Sequence, residues 1–316
     1  MKNKPILIVA GEPESVFLEL FFKSLKFRYN CPIVLICNKE ILFKQIKDLN
    51  YKFSINNINF EEINSSKLVK NKINLINVKY QKLNDDNEKN KYISKSFEIA
   101  FKLIKRKCSY KFINGPINKN IYLKKKYLGV TEFIAKNFSI KKYGMLIYNK
   151  KLSVSPVTTH LPIKLISKNI SKNLIIEKIK LINKFFITHI CIKPRIAVAG
   201  LNPHCETILY YNEDSQIVSK AVKLAKKLKI NVSGPFSGDT LFIKANRKKF
   251  DVILGMYHDQ VLGPIKTLYE YDAINITIGL PFIRISPDHG PNKEMIGKNK
   301  SNPLSLIRAL KFLDAR

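Results

Sequence analysis

Residues 4–37 read KPILIVAGEPESVFLELFFKSLKFRYNCPIVLIC. The run at 4–10 is a short buried-strand pattern that stops at the turn signal Gly11-Glu12-Pro13. Between 14 and 27 apolar residues recur at helical spacing, and residues 32–37 return to an unbroken apolar run. Strand, helix and strand in that order point to an α/β fold with parallel pairing. The alternation continues outward. Further strands are expected at 110–113, 195–199, 250–255 and 273–278. Helices are expected over 38–49, 91–107, near 162–186, and over 213–229 and 303–313. The helix at 213–229 has acids at its start and lysines at its end, as the helix dipole favours. Residues 54–90, rich in Asn and Lys, read as an irregular excursion with one or two weak strands.

The chain has 316 residues, enough for one large α/β unit or two ordinary domains. Its apolar share of 45% fits a globular protein, and no apolar run reaches the roughly 18 residues of a membrane span. The stretch Ile6 to Ala10 is too short for the core of a secretory signal. Cys31, Cys37, Cys108, Cys191 and Cys205 show no paired metal spacing and read as reduced thiols of a cytoplasmic protein. Cys205, beside His204, reads as a packing residue rather than a ligand. The excess of 56 basic over 24 acidic residues gives a net charge of +32. Nucleic acid is one partner for such a charge. Yet the lysines are spread along the chain, without an RNA-binding aromatic-basic motif or a zinc finger. The charge is therefore read as compositional, with attraction of anionic substrates as its physical effect.

Three segments gather polar residues at strand ends or loops: TTHLP (158–162), GLNPHCE (200–206) and MYHDQ (256–260). Each carries one histidine. Sheets of α/β proteins collect their active residues at the C-terminal ends of strands. His160, His204 and His258 converging there would make a divalent-metal site with positions open for substrate. Each one alone would equally cap a turn. His189, in KFFITHICIK, reads as a helix-end or packing residue. After MYHDQ, Gly263-Pro264 reads as a turn. Lys266, Asn275 and Arg284 supply a point charge, an amide and a planar fork, a set suited to phosphate or carboxylate. Glycines in DHGPNKEMIGKNKSNP (288–303) allow close backbone approach to a ligand. No GxGxxG follows the first strand, so a Rossmann dinucleotide site is not expected.

Taken together, these residues resemble the 4-hydroxythreonine-4-phosphate dehydrogenase family of pyridoxal phosphate synthesis. The resemblance rests on TTHLP, GLNPH, GPxxxDTLF (234–242), MYHDQ, NxTxGLPFIR (275–284) and SxDHG (286–290), with GPINK (115–119) and TEF (131–133) in the first half. It implies an isocitrate/isopropylmalate dehydrogenase-like fold, with two α/β/α domains, a cleft between them, and a homodimer that shares its active site. The domains would be 1–112 with 260–316, and 113–259. The resemblance makes His160, His204 and His258 the metal ligands, one of them contributed by the other subunit. It gives the substrate phosphate Thr131, Lys266, Asn275 and Arg284. Residues 289–303 follow the family spacing HGxxxxxxGxxxxNP, which implies nicotinamide-cofactor contacts at His289, Gly290, Gly297 and Asn302. The implied reaction is oxidation of 4-phosphooxy-L-threonine by NAD, or NADP, followed by decarboxylation to 3-amino-2-oxopropyl phosphate. A divalent ion (zinc, cobalt, magnesium or manganese) would polarise the alcohol oxygen. Lys119, Asp239 and Asp259 are candidates for the general base.

The sequence also departs from the family. The usual His-Thr-Glu reads Val130-Thr131-Glu132, which removes one substrate hydrogen bond. The N-terminal pattern GDPAGIGPE reads GEPESVFLE (11–19). After GLNPH a glycine-rich acidic loop is replaced by CETILYYNED (205–214). A related dehydrogenase of threonate or erythronate 4-phosphate, or a binding protein without hydride transfer, are the alternatives these departures raise.

Overall fold

The computed structural model describes residues 4–63, 67–81, 85–118, 127, 129–205, 212–287 and 290–316. In chain order its strands are β1 (Ile6–Val9), β2 (Ile33–Cys37), β3 (Ile55–Asn57), β4 (Ile73–Asn77), β5 (Lys111–Asn114), β6 (Gly144–Tyr148), β7 (Ser153–Thr158), β8 (Ile196–Ala199), β9 (Val232–Phe236), β10 (Val252–Tyr257), β11 (Ile274–Ile278) and β12 (Ile283–Ser286). The chain forms two compact units, Met1–Ile134 with Pro281–Arg316, and Ala135–Leu280. Both divisions fall later than the 112/113 and 259/260 expected from sequence. Arg284 donates to Thr131 Oγ1 at 3.1 Å, which ties the start of the helix Val130–Asn137 to the first unit. β11 pairs antiparallel with β6 along its whole length, which keeps the chain through Leu280 in the second.

In the first unit the strands are parallel, in the order β3-β4-β2-β1-β5-β12. All four residues of β1 are fully buried, so both faces of this sheet are covered. Full burial explains why its sequence lacks a period of two. Helix Phe17–Ser24 adds Phe17, Phe21 and Phe22 to the core, each ring contributing roughly 2–3 kcal/mol by its burial. This helix is shorter than the expected 14–27. Ser15 Oγ donates to the Glu12 carbonyl at 2.8 Å and closes a turn ahead of it. Gly11 (φ 81°) passes close under the 115–116 turn, where a Cβ would lie 2.3 Å from the Pro116 oxygen. Helix Lys39–Asp48 starts where the Asn38 side chain accepts from Ile41 N at 3.0 Å, a standard N-cap. The 54–90 excursion supplies β3 and β4. β4 is no weak strand, because it pairs with β2 over five residues and is buried at four of its own.

In the second unit the order is β11-β6-β7-β10-β8-β9. β7, β10, β8 and β9 are parallel, and β6 runs antiparallel to β7 and β11. The helix expected near 162–186 is broken. Ile170 is extended (ψ 140°), and Ser171 then caps Lys172–Phe185 by accepting from Leu174 N. His189 lies at that helix's end with its ring 5.0 Å from Phe185, the packing role expected of it. Gly263-Pro264 does not turn the chain. Helix His258–Tyr269 runs through both, and Val261 and Ile265 anchor it in the core. Proline forgoes one backbone hydrogen bond there, and that burial holds the helix together. Among the described residues, no helix is long and apolar enough to cross a membrane.

Candidate functional site

Because β7, β10, β8 and β9 lie side by side and parallel, their C-terminal ends share one edge of the second unit's sheet. The three histidine segments leave from that edge, with His258 directly after β10, the middle strand of the three. Side chains lock the turns together. Thr158 Oγ1 donates to the Met256 carbonyl at 2.7 Å. Gln260 accepts from Met256 N at 2.6 Å and donates to the Gly200 carbonyl at 2.6 Å. One amide thus joins the ends of β10 and β8, a role the sequence reading did not assign to it.

His160 and His258 face each other with ring centroids 5.9 Å apart and planes tilted by 33°. His258 Nδ1 lies 2.6 Å from Asp259 Oδ1, so that carboxylate can orient the ring and leave Nε2 outward. His160 and His204 are exposed, which excludes a core-packing role. Both hold left-handed backbone (φ 52° and 57°), as does Cys205 (φ 62°). Such non-glycine positions are uncommon and cluster at functional sites. Among the described residues, no three His, Cys, Asp or Glu side chains are grouped closely enough to hold a metal. A hydrogen bond from Ser237 is the main reason that the Asp239 carboxyl lies below its ordinary range, and the nearby His204 adds a lesser contribution.

The His204 turn is built on Asp214, whose place in the sequence suggests only an acid suited to a helix dipole. Asp214 is fully buried, and its carboxylate accepts from Leu201 N at 2.7 Å and from Asn202 N at 2.9 Å. Glu213 supports it, accepting from Asn202 Nδ2 at 3.0 Å and from Ser167 Oγ at 2.6 Å. Gly200 is required beneath, since a Cβ would meet Cys205 Sγ at 2.6 Å and Asp214 Oδ1 at 3.0 Å. Cys205 packs there, as expected of it. Elsewhere in this unit, burial lowers the Lys266 ammonium from its ordinary value, and Asn275 is half-buried on β11.

In the first unit Arg284, on β12, is buried. It donates through Nε to Asn114 Oδ1 at 2.8 Å and through Nη1 to Thr131 Oγ1 at 3.1 Å. Burial lowers its guanidinium to about 10, with Glu132 acting the other way, so it remains a cation at neutral pH. The 290–303 loop is tied down by Glu19, a buried carboxylate on the helix Phe17–Ser24. Glu19 accepts from Ser301 N at 2.8 Å, Asn299 N at 3.2 Å and Lys23 Nζ at 2.9 Å, and from the Ser301 hydroxyl. Gly290 is exposed, Gly297 has φ 77°, and the Asn302 side chain accepts from Leu304 N at 3.0 Å at the start of the last helix. Asp259 is 88% exposed. Lys119 and His289 lie outside the described residues.

Residues 29–313 match the family model "Pyridoxal phosphate biosynthetic protein PdxA". A 4-hydroxythreonine-4-phosphate dehydrogenase of Sulfurihydrogenibium sp. is 36% identical over 97% of this chain and 96% of its own length. A D-threonate 4-phosphate dehydrogenase of Pectobacterium atrosepticum is 34% identical over 68% of this chain and 69% of its own. The crystal structure of 4-hydroxythreonine-4-phosphate dehydrogenase from Klebsiella pneumoniae superposes with a TM-score of 0.84 at 27% identity, covering 98% of both chains. The fold is accordingly that of the isocitrate/isopropylmalate dehydrogenase type. On sequence and fold together, the chain belongs to the pyridoxal phosphate biosynthetic protein PdxA family.

Proposed function

We propose that this chain is a nicotinamide- and divalent-metal-dependent dehydrogenase that oxidises 4-phosphooxy-L-threonine, with loss of carbon dioxide, to 3-amino-2-oxopropyl phosphate. The observation that carries the reading is the pairing of His160 with His258 on the strand edge from which the His204 turn also leaves. The donor chemistry fits a metal. The rings are accessible, and His258 has a carboxylate at one nitrogen that leaves the other for coordination. Within one chain two ligands converge, and a second copy in a homodimer would complete the set. A bound divalent cation would supply positive charge beside the substrate's alcohol oxygen, and NAD would accept the hydride.

The chain's own residues do the rest. Arg284, a buried cation fixed by Asn114 and Thr131, presents its guanidinium in one orientation. With Thr131, Lys266 and Asn275 it is proposed to hold the phosphate. Gln260, Thr158 and Asp214 fix the histidine turns, so their geometry is in place before substrate arrives. Gly290, Gly297, Asn302 and His289 are proposed for the cofactor, and Lys119, Asp239 or Asp259 as base. The enzyme is proposed to work in the cytoplasm. A second reading, oxidation of threonate 4-phosphate, is favoured by Val130 in place of a hydrogen-bonding residue and by the Pectobacterium relative's name.

The test is formation of reduced nicotinamide, followed by absorbance, from NAD and 4-phosphooxy-threonine or threonate 4-phosphate, with added metal and with chelator. Chelator-sensitive turnover of the amino acid phosphate is expected. Turnover of threonate 4-phosphate alone moves the assignment to the second reading. No turnover of either substrate by folded, metal-loaded protein refutes both.

A further inference from the structure

Lys111, the first residue of β5, is 3% exposed, yet its ammonium group meets one hydrogen-bonding atom among the described residues, Cys31 Sγ at 3.0 Å. An ammonium has three donors, and a single thiol leaves it poorly satisfied. Lys89, also buried, instead reaches the carboxylates of Glu14 and Asp86. Cys31 is fixed from its other side. Its N–H donates to Asp314 Oδ1 at 2.7 Å, and its thiol points at the Asp314 carbonyl oxygen, 3.8 Å away. It also lines a cavity of about 270 Å³ with Tyr29, Phe53 and Lys72, which gives a small solute access.

We propose that Cys31 and Lys111 are an oxidative modification site, at which hydrogen peroxide joins the two side chains covalently. Nitrogen and sulfur already stand at the distance from which bonds form. Peroxide oxidises the thiol to a sulfenic acid and is itself reduced to water, sulfur giving up two electrons. The Lys111 ammonium gives one proton to water, and the lone pair so freed attacks sulfur. The S–O bond breaks, the hydroxyl leaves as water with a second nitrogen proton, and an S–N bond remains. Thiol reductants reverse it. Burial raises the Cys31 thiol from its ordinary value, with Lys111 acting against this, so the first step is slow and the bridge builds up under sustained peroxide.

The experiment treats the purified full-length protein with millimolar peroxide, then denatures, alkylates and digests it, with and without dithiothreitol. The expected product is the Cys31 and Lys111 peptides joined, about 2 Da below the sum of the two, and separated by dithiothreitol. A joined pair about 14 Da above the sum of the two, with oxygen kept between nitrogen and sulfur by a second peroxide, supports the same site. Cys191, exposed on the surface, is the internal reference and should carry only ordinary oxidation products. Lys111→Arg should abolish the joined peptide and send Cys31 on to sulfinic acid. If that variant does not fold, the native protein decides alone. Cys31 found as sulfinic acid beside a free Lys111 peptide overturns the proposal. So does Cys31 that stays reduced while Cys191 is oxidised.

Discussion

Arg284 makes two demands at once. Its guanidinium must be buried to be held by Asn114 and Thr131, and it must remain charged to hold an anion. Arg284→Ala leaves the buried Asn114 and the half-buried Thr131 without this partner and should cost roughly 1–3 kcal/mol of stability, measured by denaturant melting. In the proposed enzyme it should raise KM for the phosphorylated substrate far more than it lowers kcat. Arg284→Lys keeps the charge and loses the fork, so it should recover stability better than substrate binding. His258→Ala should lower bound metal, read by elemental analysis, together with turnover. The histidines were legible because polar residues interrupt apolar runs at strand ends. Asp214 was not, because its partners are backbone N–H groups twelve and thirteen residues earlier. No local pattern separates such a clamp from an acid that merely suits a helix dipole.

Glu19 belongs to the scale of elements, since it joins the helix Phe17–Ser24 to the loop before the helix Leu304–Asp314. Burial alone would raise its carboxyl. Hydrogen bonds from Ser301 and Lys23 outweigh that and hold it below its ordinary value. A folded-state value lowered in this way contributes stability that is complete above the unfolded value and is lost as pH falls through the folded one. Glu19→Gln should therefore narrow the gap between stability at neutral and at acid pH, visible as a flatter acid limb in melting temperature. An unchanged limb would mean that other carboxylates set it. β1, β2, β5, β8, β10 and β11, and most of the helices, were legible from apolar spacing, whereas β9, β12 and the helices Val130–Asn137 and His258–Tyr269 were not. The ends of the legible elements were not. The true bounds depend on Asn38, Ser171 and the Ser15 turn, and at Gly263-Pro264 burial of Val261 and Ile265 overrode the turn signal.

At the scale of the molecule, 56 basic residues against 24 acidic ones leave a net charge of +32. Screening shrinks the reach of such a field from about 10 Å at 0.1 M salt to about 3 Å at 1 M. KM for a phosphorylated substrate should rise several-fold over that range while kcat holds, in steady-state assays at fixed pH. Equal KM at both salts would confine the charge to solubility. No local pattern in the sequence marks the two compact units, Met1–Ile134 with Pro281–Arg316 and Ala135–Leu280. The positions of their joints depend on the β6–β11 ladder and the Arg284–Thr131 bond, neither of which has a local signature.

That arrangement sets an order of assembly during synthesis. The second unit is one continuous stretch, Ala135–Leu280, and can close as soon as it clears the ribosome. The first unit is opened before it and finished after it. β5 waits for β12, and the core around β1 waits for the helix Leu304–Asp314. Until the last few dozen codons are read, β5 therefore presents an unpaired edge and β1 an uncovered apolar face, so the half made first is the half that most needs shelter.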